Sequence, residues 1–255
     1  MWKFKFNIKR EVRIALSLLL LVLLIAFSER TQRDLDVQEV HIRMENVSEN
    51  HFMEEKDVIE LMQLNKENLK GATVKQVDLR ELEHRIENDH FVKDAEIYSD
   101  LKGNLVVKVK LRRPIARIIQ QDGPHGYIAD DGTTMSVSEK FTSRVTLVSG
   151  SYVSKLVKQQ NLYETEEGTR LMELLTRIHE DDFWRAQLAQ VDVASDGRVT
   201  LYPQVSKQYV EFGKIENLET KLHKLKIFYK EILPQRGWNT YERVNLEYEG
   251  QIVAE

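Results

Sequence analysis

The sequence predicts an α+β protein in three parts: a single N-terminal transmembrane helix, a small β-α-α-β-β module, and a mostly β C-terminal domain with helices. Three observations predict it. Residues 14–27 form an uncharged apolar run unlike anything else in the chain. Residues 37–112 pass from strand-like alternation through two amphipathic helical patterns to two further strand-like runs, and beyond Arg113 short strand signals separated by turn dipeptides take over.

Of the 255 residues, 42% are hydrophobic, enough to bury the cores of one or two ordinary domains. Lys and Arg number 37 against 41 Asp and Glu, so no net basic field exists to collect phosphates, and nucleic acid is not an expected partner. The absence of cysteine excludes disulfide staples, thiolate metal sites and a cysteine nucleophile.

The apolar run decides the compartment. Residues 12–28 are expected to form the membrane-crossing helix. The apolar stretch covers about 16 residues, or roughly 24 Å of helix, slightly less than the ~30 Å hydrocarbon core. Arg10 and Arg13 can snorkel to the headgroups, while Trp2, Phe4 and Phe6 suit the interface. Lys3, Lys5, Lys9, Arg10 and Arg13 precede the run against the single Glu11, which places residues 1–11 in the cytoplasm and the bulk of the chain outside it. A cleaved signal peptide, with Ala26 and Ser28 as the small residues, is the alternative. Residues 29–36 are polar and read as a linker.

Val37, Val40, Ile42 and Met44 alternate as in a half-buried strand. Residues 54–64 set Val58, Ile59, Leu61 and Met62 on one helical face, with Glu54, Glu55 and Asp57 at its positive end. Asp78 and Glu81 resemble a capping box ahead of Leu79, Leu82 and Ile86, in a helix expected to stop near Asn88. Strand-like runs at 92–98 and 105–111 flank a turn containing Gly103 and Asn104.

In the C-terminal domain, strands are expected at 115–120, 126–129, 144–148, 188–193, 198–202 and 208–212. Asp131-Gly132 and Asp196-Gly197 supply turns, the second forming the clearest hairpin. Helices are expected at 167–179 and 218–233, the latter ended by Pro234, with Lys221, Lys224, Lys226 and Lys230 as its solvated face. Val244-Asn245-Leu246-Glu247-Tyr248 alternates, so the chain is expected to close on a strand.

Three segments carry a resemblance. Val107-Lys108-Val109-Lys110-Leu111-Arg112-Arg113-Pro114-Ile115-Ala116-Arg117, then Tyr127-Ile128-Ala129-Asp130-Asp131-Gly132, then Val145-Thr146-Leu147-Val148-Ser149-Gly150 follow one another as in the FtsQ/DivIB cell-division family. Thr146 replaces the usual proline of the third motif. The resemblance implies a POTRA domain over 37–112 and the family's β domain over 113–255. It implies a non-enzymatic, single-pass inner-membrane protein of the division septum, without cofactor. Its implied partners are FtsB and FtsL type coiled-coil proteins, other divisome members through the POTRA domain, and the lipid bilayer through residues 12–28.

Val244 to Tyr248 resembles the family's Val-Asp-Leu-x-Tyr strand, which makes Leu246, Glu247, Tyr248, Glu249 and Gly250 the candidate partner-binding residues, with Tyr248 the leading contact. Arg112, Arg113 and Pro114 are assigned to the domain junction, since a proline cannot donate to a ladder and belongs at an edge, bulge or bend.

No catalytic, cofactor-binding or metal-binding residue is expected. The seven histidines are scattered without His-Glu-x-x-His, and the nearest cluster, His179-Glu180-Asp181-Asp182, reads as a charged helix end. The rival readings are a periplasmic POTRA-containing assembly or secretion component and an unrecognised periplasmic cell-wall enzyme.

Overall fold

A computed structural model describes residues 10–33, 36–46, 51–63, 73–120 and 125–255, and within helix α1 (Arg10–Arg33) it describes the side chains of Val12 and residues 14–24. All of those side chains are exposed. Among the described residues no helix is long and apolar enough to cross a membrane. The expected crossing at 12–28 extends past the described side chains, and the basic residues Lys3, Lys5 and Lys9 lie outside the described residues, as does Leu64.

The chain divides into two compact units. The first holds residues up to Glu45 together with Glu54–Lys110, and the second holds Asn46–Met53 and Leu111–Glu255. In the first, β1 (Val40–Glu45), α2 (Glu55–Leu61), α3 (Leu79–Glu87), β2 (Val92–Ser99) and β3 (Leu105–Leu111) follow in the order the periodicities predict. The sheet order is β1-β3-β2, with β1 parallel to β3. Strand β1 alternates half-buried and exposed residues along its whole length, as a half-covered surface requires.

Both helices start at side-chain caps. Asp57 accepts from the Glu54 N–H at 2.8 Å, and Asp78 accepts from the Glu81 N–H at 3.1 Å. Val58, Met62, Leu82 and Ile86 are buried. The β2–β3 turn closes on Asp100, which accepts from the Lys102 and Asn104 N–H groups at 2.8 and 2.9 Å, while Gly103 takes φ +87. Glutamates of α3 cap two N–H groups of β2: Ile97 N–H donates to Glu83 at 2.7 Å and Ala95 N–H to Glu87 at 3.4 Å. These donors would otherwise stand open at the margin of the sheet.

The second unit is built on a nine-stranded sheet of order β12-β11-β10-β9-β8-β7-β4-β5-β6. Its strands are β4 (Pro114–Ile118), β5 (Gly126–Ala129), β6 (Thr134–Ser136), β7 (Thr146–Ser149), β8 (Leu188–Val193), β9 (Val199–Pro203), β10 (Tyr209–Gly213), β11 (Arg243–Asn245) and β12 (Val253–Ala254). Parallel pairs join β4 to β7, β7 to β8 and β10 to β11; the remaining neighbours are antiparallel.

Helices α4 (Val153–Leu156), α5 (Glu166–Glu180), α6 (Asp182–Gln187) and α7 (Leu218–Ile227) bury Leu156, Leu171, Leu174, Leu175, Ile178, Trp184, Leu222 and Leu225 in one core with Val148, Val191, Val193, Leu201, Val210 and Val244 of the sheet. That shared core is the physical reason the alternating strand residues and the three-to-four spacing of α5 occur in one stretch of sequence. Phe52 packs on Tyr127 and Phe141, with ring centroids 5.0 and 5.3 Å away, so the Asn46–Met53 segment contributes an aromatic contact to this unit.

Pro234 does not end its helix. A π-helical turn, Phe228–Ile232, follows α7, and a last turn, Leu233–Arg236, carries Pro234 near its start before Gly237 at φ +104 stops it. Proline removes an N–H and crowds the carbonyl four residues earlier, and the wider π turn accommodates both changes.

Candidate docking edge

The C-terminal residues form the margin of the large sheet. Strand β11 lies parallel to β10, pairing Tyr209 with Arg243 and Glu211 with Asn245, and β12 folds back antiparallel on β11. Expectation and structure differ here. The strand expected over residues 244–248 is confined to Arg243–Asn245, and the edge belongs to Val253–Ala254. The turn signal Glu249-Gly250, with Gly250 at φ +71, is what separates the two strands.

Buried polar groups anchor this margin. Asn245, only 7% exposed, donates from Nδ2 to Glu211 Oε2 at 2.6 Å and accepts the Glu247 N–H at 2.8 Å. Arg243 Nε lies 3.0 Å from Glu211 Oε2, and the hydrogen bond and charge of Glu211 raise the Arg243 pKa. Arg243 and Glu255 exchange backbone bonds, N–H to O at 3.1 and 3.0 Å. In an antiparallel ladder such bonded pairs alternate with pairs whose N–H and C=O point away, so the backbone of Ala254 faces out from the sheet. At the opposite margin β6 is covered at its first residue: Thr134 donates its N–H to Gln160 O at 3.0 Å and its hydroxyl to Gln159 O at 2.6 Å.

The expected contact residues separate. Leu246 is 1% exposed and belongs to the core, because its side chain falls on the helix-covered side of the sheet. Glu247 lies over Gly213, where a Cβ would stand 2.5 Å from its Cγ, and Gly213 is free to take φ +72 there. Tyr248 is 51% exposed, and Glu249 and Gly250 share its turn. Ile227 and Trp238 are further exposed apolar side chains of this unit, Trp238 stacking on Tyr229 at 6.4 Å.

The lysines of α7 and the following turn are not simply a solvated face. Lys221 Nζ donates to Phe212 O and Lys214 O, both at 2.8 Å. Burial lowers its pKa, against the opposing charges of Glu247 and Glu216. Lys224 Nζ donates to Leu246 O, Tyr248 O and Gln251 O at 3.2, 2.8 and 3.2 Å. Lys226 Nζ pairs with Asp181 at 3.0 Å, and Lys230 lies over the Phe183 ring at 5.4 Å. A charge count along a helix cannot register carbonyl partners contributed by a distant turn, so sequence reasoning missed these contacts.

The junction residues meet the motif that follows them. Arg112 Nε lies 3.3 Å from Asp131 Oδ2, the Arg113 carbonyl accepts the Asp130 N–H at 2.9 Å, and Pro114 opens β4 at a register shift. They therefore brace the turn at Gly132, whose φ of +80 and contact with the Tyr163 ring exclude a side chain. In the acidic cluster, Asp181 caps α6 by accepting the Phe183 N–H at 2.9 Å.

Among the described residues no three His, Cys, Asp or Glu side chains converge as metal ligands would. A depression of about 660 Å³ beside β7 and β8 holds Ser149, which donates to Asp192 at 2.6 Å and accepts from Gln190 at 2.7 Å. Among the described residues Asp192 is the one carboxylate in its lining.

A POTRA-like domain model matches residues 37–110, and the model of the FtsQ/DivIB C-terminal related domain matches residues 113–255. Among curated proteins none matches the chain. The second match covers more than half of the chain and the whole run of strands that ends in the open margin at Ala254: the chain belongs to the FtsQ/DivIB family, non-enzymatic components of the bacterial divisome.

Proposed function

We propose that this protein is a single-pass inner-membrane scaffold of the division septum, which holds FtsB and FtsL type coiled-coil proteins by adding a strand of the partner to β12. Residues 12–28 anchor it in the bilayer, residues 1–11 lie in the cytoplasm, and residues 37–112 and 113–255 work on the far side. The POTRA-like domain brings it to other divisome members. The observation that carries the reading is the contrast between the two margins of the large sheet. The β6 margin is engaged at Thr134 by residues 159–160, whereas the two-residue β12 margin keeps the outward backbone groups of Ala254 beside an exposed tyrosine. Main-chain bonds of an added strand supply affinity, and the ring of Tyr248 supplies an apolar anchor with a polar tip.

The experiment is co-purification from carbonate-washed membranes with the FtsB and FtsL type proteins of the same bacterium. The full-length chain should stay in the washed membranes and carry both partners. Ala254→Pro removes an outward N–H while sparing the bonds to β11, and Tyr248→Glu places a charge beside the edge. Each should lower partner recovery at least about tenfold, the equivalent of ~1.4 kcal/mol. Undiminished recovery with both variants would remove the edge from the function, and release of the chain by carbonate would remove the anchor.

A further inference from the structure

Lys224 presents an unusual set of partners. An ammonium carries three donors, and here the Nζ reaches three carbonyls of one short turn, those of Leu246, Tyr248 and Gln251, at 3.2, 2.8 and 3.2 Å. The turn has little else to hold it. Leu246 N–H donates to Glu211 O at 3.0 Å and Glu247 N–H to Asn245 Oδ1 at 2.8 Å, both at its beginning. Tyr248, Glu249, Gly250 and Gln251 are exposed, and no side chain could gain van der Waals contact at Gly250, where nothing lies within 4 Å of a Cβ position. Strand β12 beyond it has two residues, half-buried, paired to β11 and closed by the Arg243 and Glu255 backbone bonds. A hairpin that short is marginal without support from outside itself. That support comes from Ile252 and Ala254, which pack partly buried against the core, and, from α7, from the half-buried side chain of Lys224 that reaches the turn.

We infer that Lys224 is a positioning residue for partner capture: by gathering three carbonyls of the turn it holds β12 in register and keeps the Ala254 backbone aimed at an incoming strand. The inference rests on β12 being the docking edge. Lys221, one turn earlier on the same face, is committed to Phe212 O and Lys214 O and cannot substitute. Lys226, paired with Asp181, serves as the control because its ammonium contacts another part of the unit.

The test is hydrogen exchange on the detergent-solubilised full chain, together with recovery of the co-expressed FtsB type protein from membranes. In Lys224→Gln the amides of Val253 and Glu255, which pair to β11, should exchange at least tenfold faster relative to those of β8 and β9, and partner recovery should fall at least tenfold. Lys226→Gln should change neither. Taking the edge amides as a ratio to β8 and β9 keeps the decision independent of any general loosening, and Lys224→Met is read by the same ratio. Unchanged exchange at Val253 and Glu255 in both Lys224 variants overturns the inference whatever the partner does. Faster exchange with undiminished recovery, while Ala254→Pro loses the partner, also overturns it but leaves the docking edge standing. Undiminished recovery with Ala254→Pro removes the docking edge itself, and the role of Lys224 in capture goes with it.

Discussion

Tyr229 shows how far a single buried group can set the response of the domain to pH. Its ring is 2% exposed, packed with Phe228 and Trp238, and among the described residues its hydroxyl has only the Gln208 side chain as a polar neighbour, without a well-aligned hydrogen bond. Burial pushes its pKa up to about 12, only partly opposed by the nearby Gln208 side chain. In the unfolded chain the phenol loses its proton near pH ~10. Between those values the folded state holds a proton that the unfolded state has released. The contribution is therefore fully present below about pH 10 and is lost as pH rises towards about 12. Tyr229→Phe should flatten that part of the stability profile, measured by thermal unfolding of the detergent-solubilised chain against pH. At neutral pH the variant should stay within ~1 kcal/mol of the wild type, because the buried hydroxyl that is removed makes no well-aligned hydrogen bond among the described residues. A steeper alkaline loss in the variant would reverse the assignment. At this same scale the sequence was least legible. Tyr248 was visible as a candidate contact, but Lys224 looked like any surface lysine because its partners are main-chain atoms more than twenty residues away in sequence.

Elements were legible where length and turn chemistry coincided. Strands β5 and β8 begin and end at the residues the sequence marks, and the β8–β9 hairpin turns at Gly197 with φ +80. The missed elements are β6, β12, α4 and α6, with three, two, four and six residues, too few to establish a period. Pro234 misled for a physical reason: its cost is absorbed one turn earlier, in the π segment, and no residue type encodes that wider turn. The glycines provide a paired test at this scale. Gly197 has nothing within 4 Å of a Cβ position, so Gly197→Ala carries only the left-handed backbone penalty, about 1–2 kcal/mol. Gly150, at φ +103, would place a Cβ 2.3 Å from the Val193 carbonyl oxygen in β8. Gly150→Ala must move backbone in the middle of the sheet and should cost ~3 kcal/mol or more. Thermal unfolding of the two variants should rank them clearly. Equal losses would mean that the turn at Gly150 can shift away from β8.

At the scale of the whole chain, the order of motifs showed the family, while the assignment of residues to compact units came from contacts that no motif carries. A division at residues 112 and 113, where the strand ending in Arg112-Arg113-Pro114 changes character, leaves Asn46–Met53 with the preceding module. By its contacts that segment is counted with the second unit. Phe52, 3% exposed, packs on Tyr127 and Phe141, and Tyr127 in turn lies under the Arg117 guanidinium at 5.6 Å and accepts the Ser143 N–H at 3.2 Å. Removing this ring strips cover from the β5 tyrosine without touching residues 113–255 themselves. Phe52→Ala in the full chain should therefore lower the unfolding temperature of the second unit, followed by the fluorescence of the buried Trp184, by the equivalent of ~3 kcal/mol. A chain beginning at Leu111, which lacks the segment altogether, should show at least that loss. If the Trp184 transition is unmoved by Phe52→Ala, the segment is a bystander and the unit is complete from residue 111 onward.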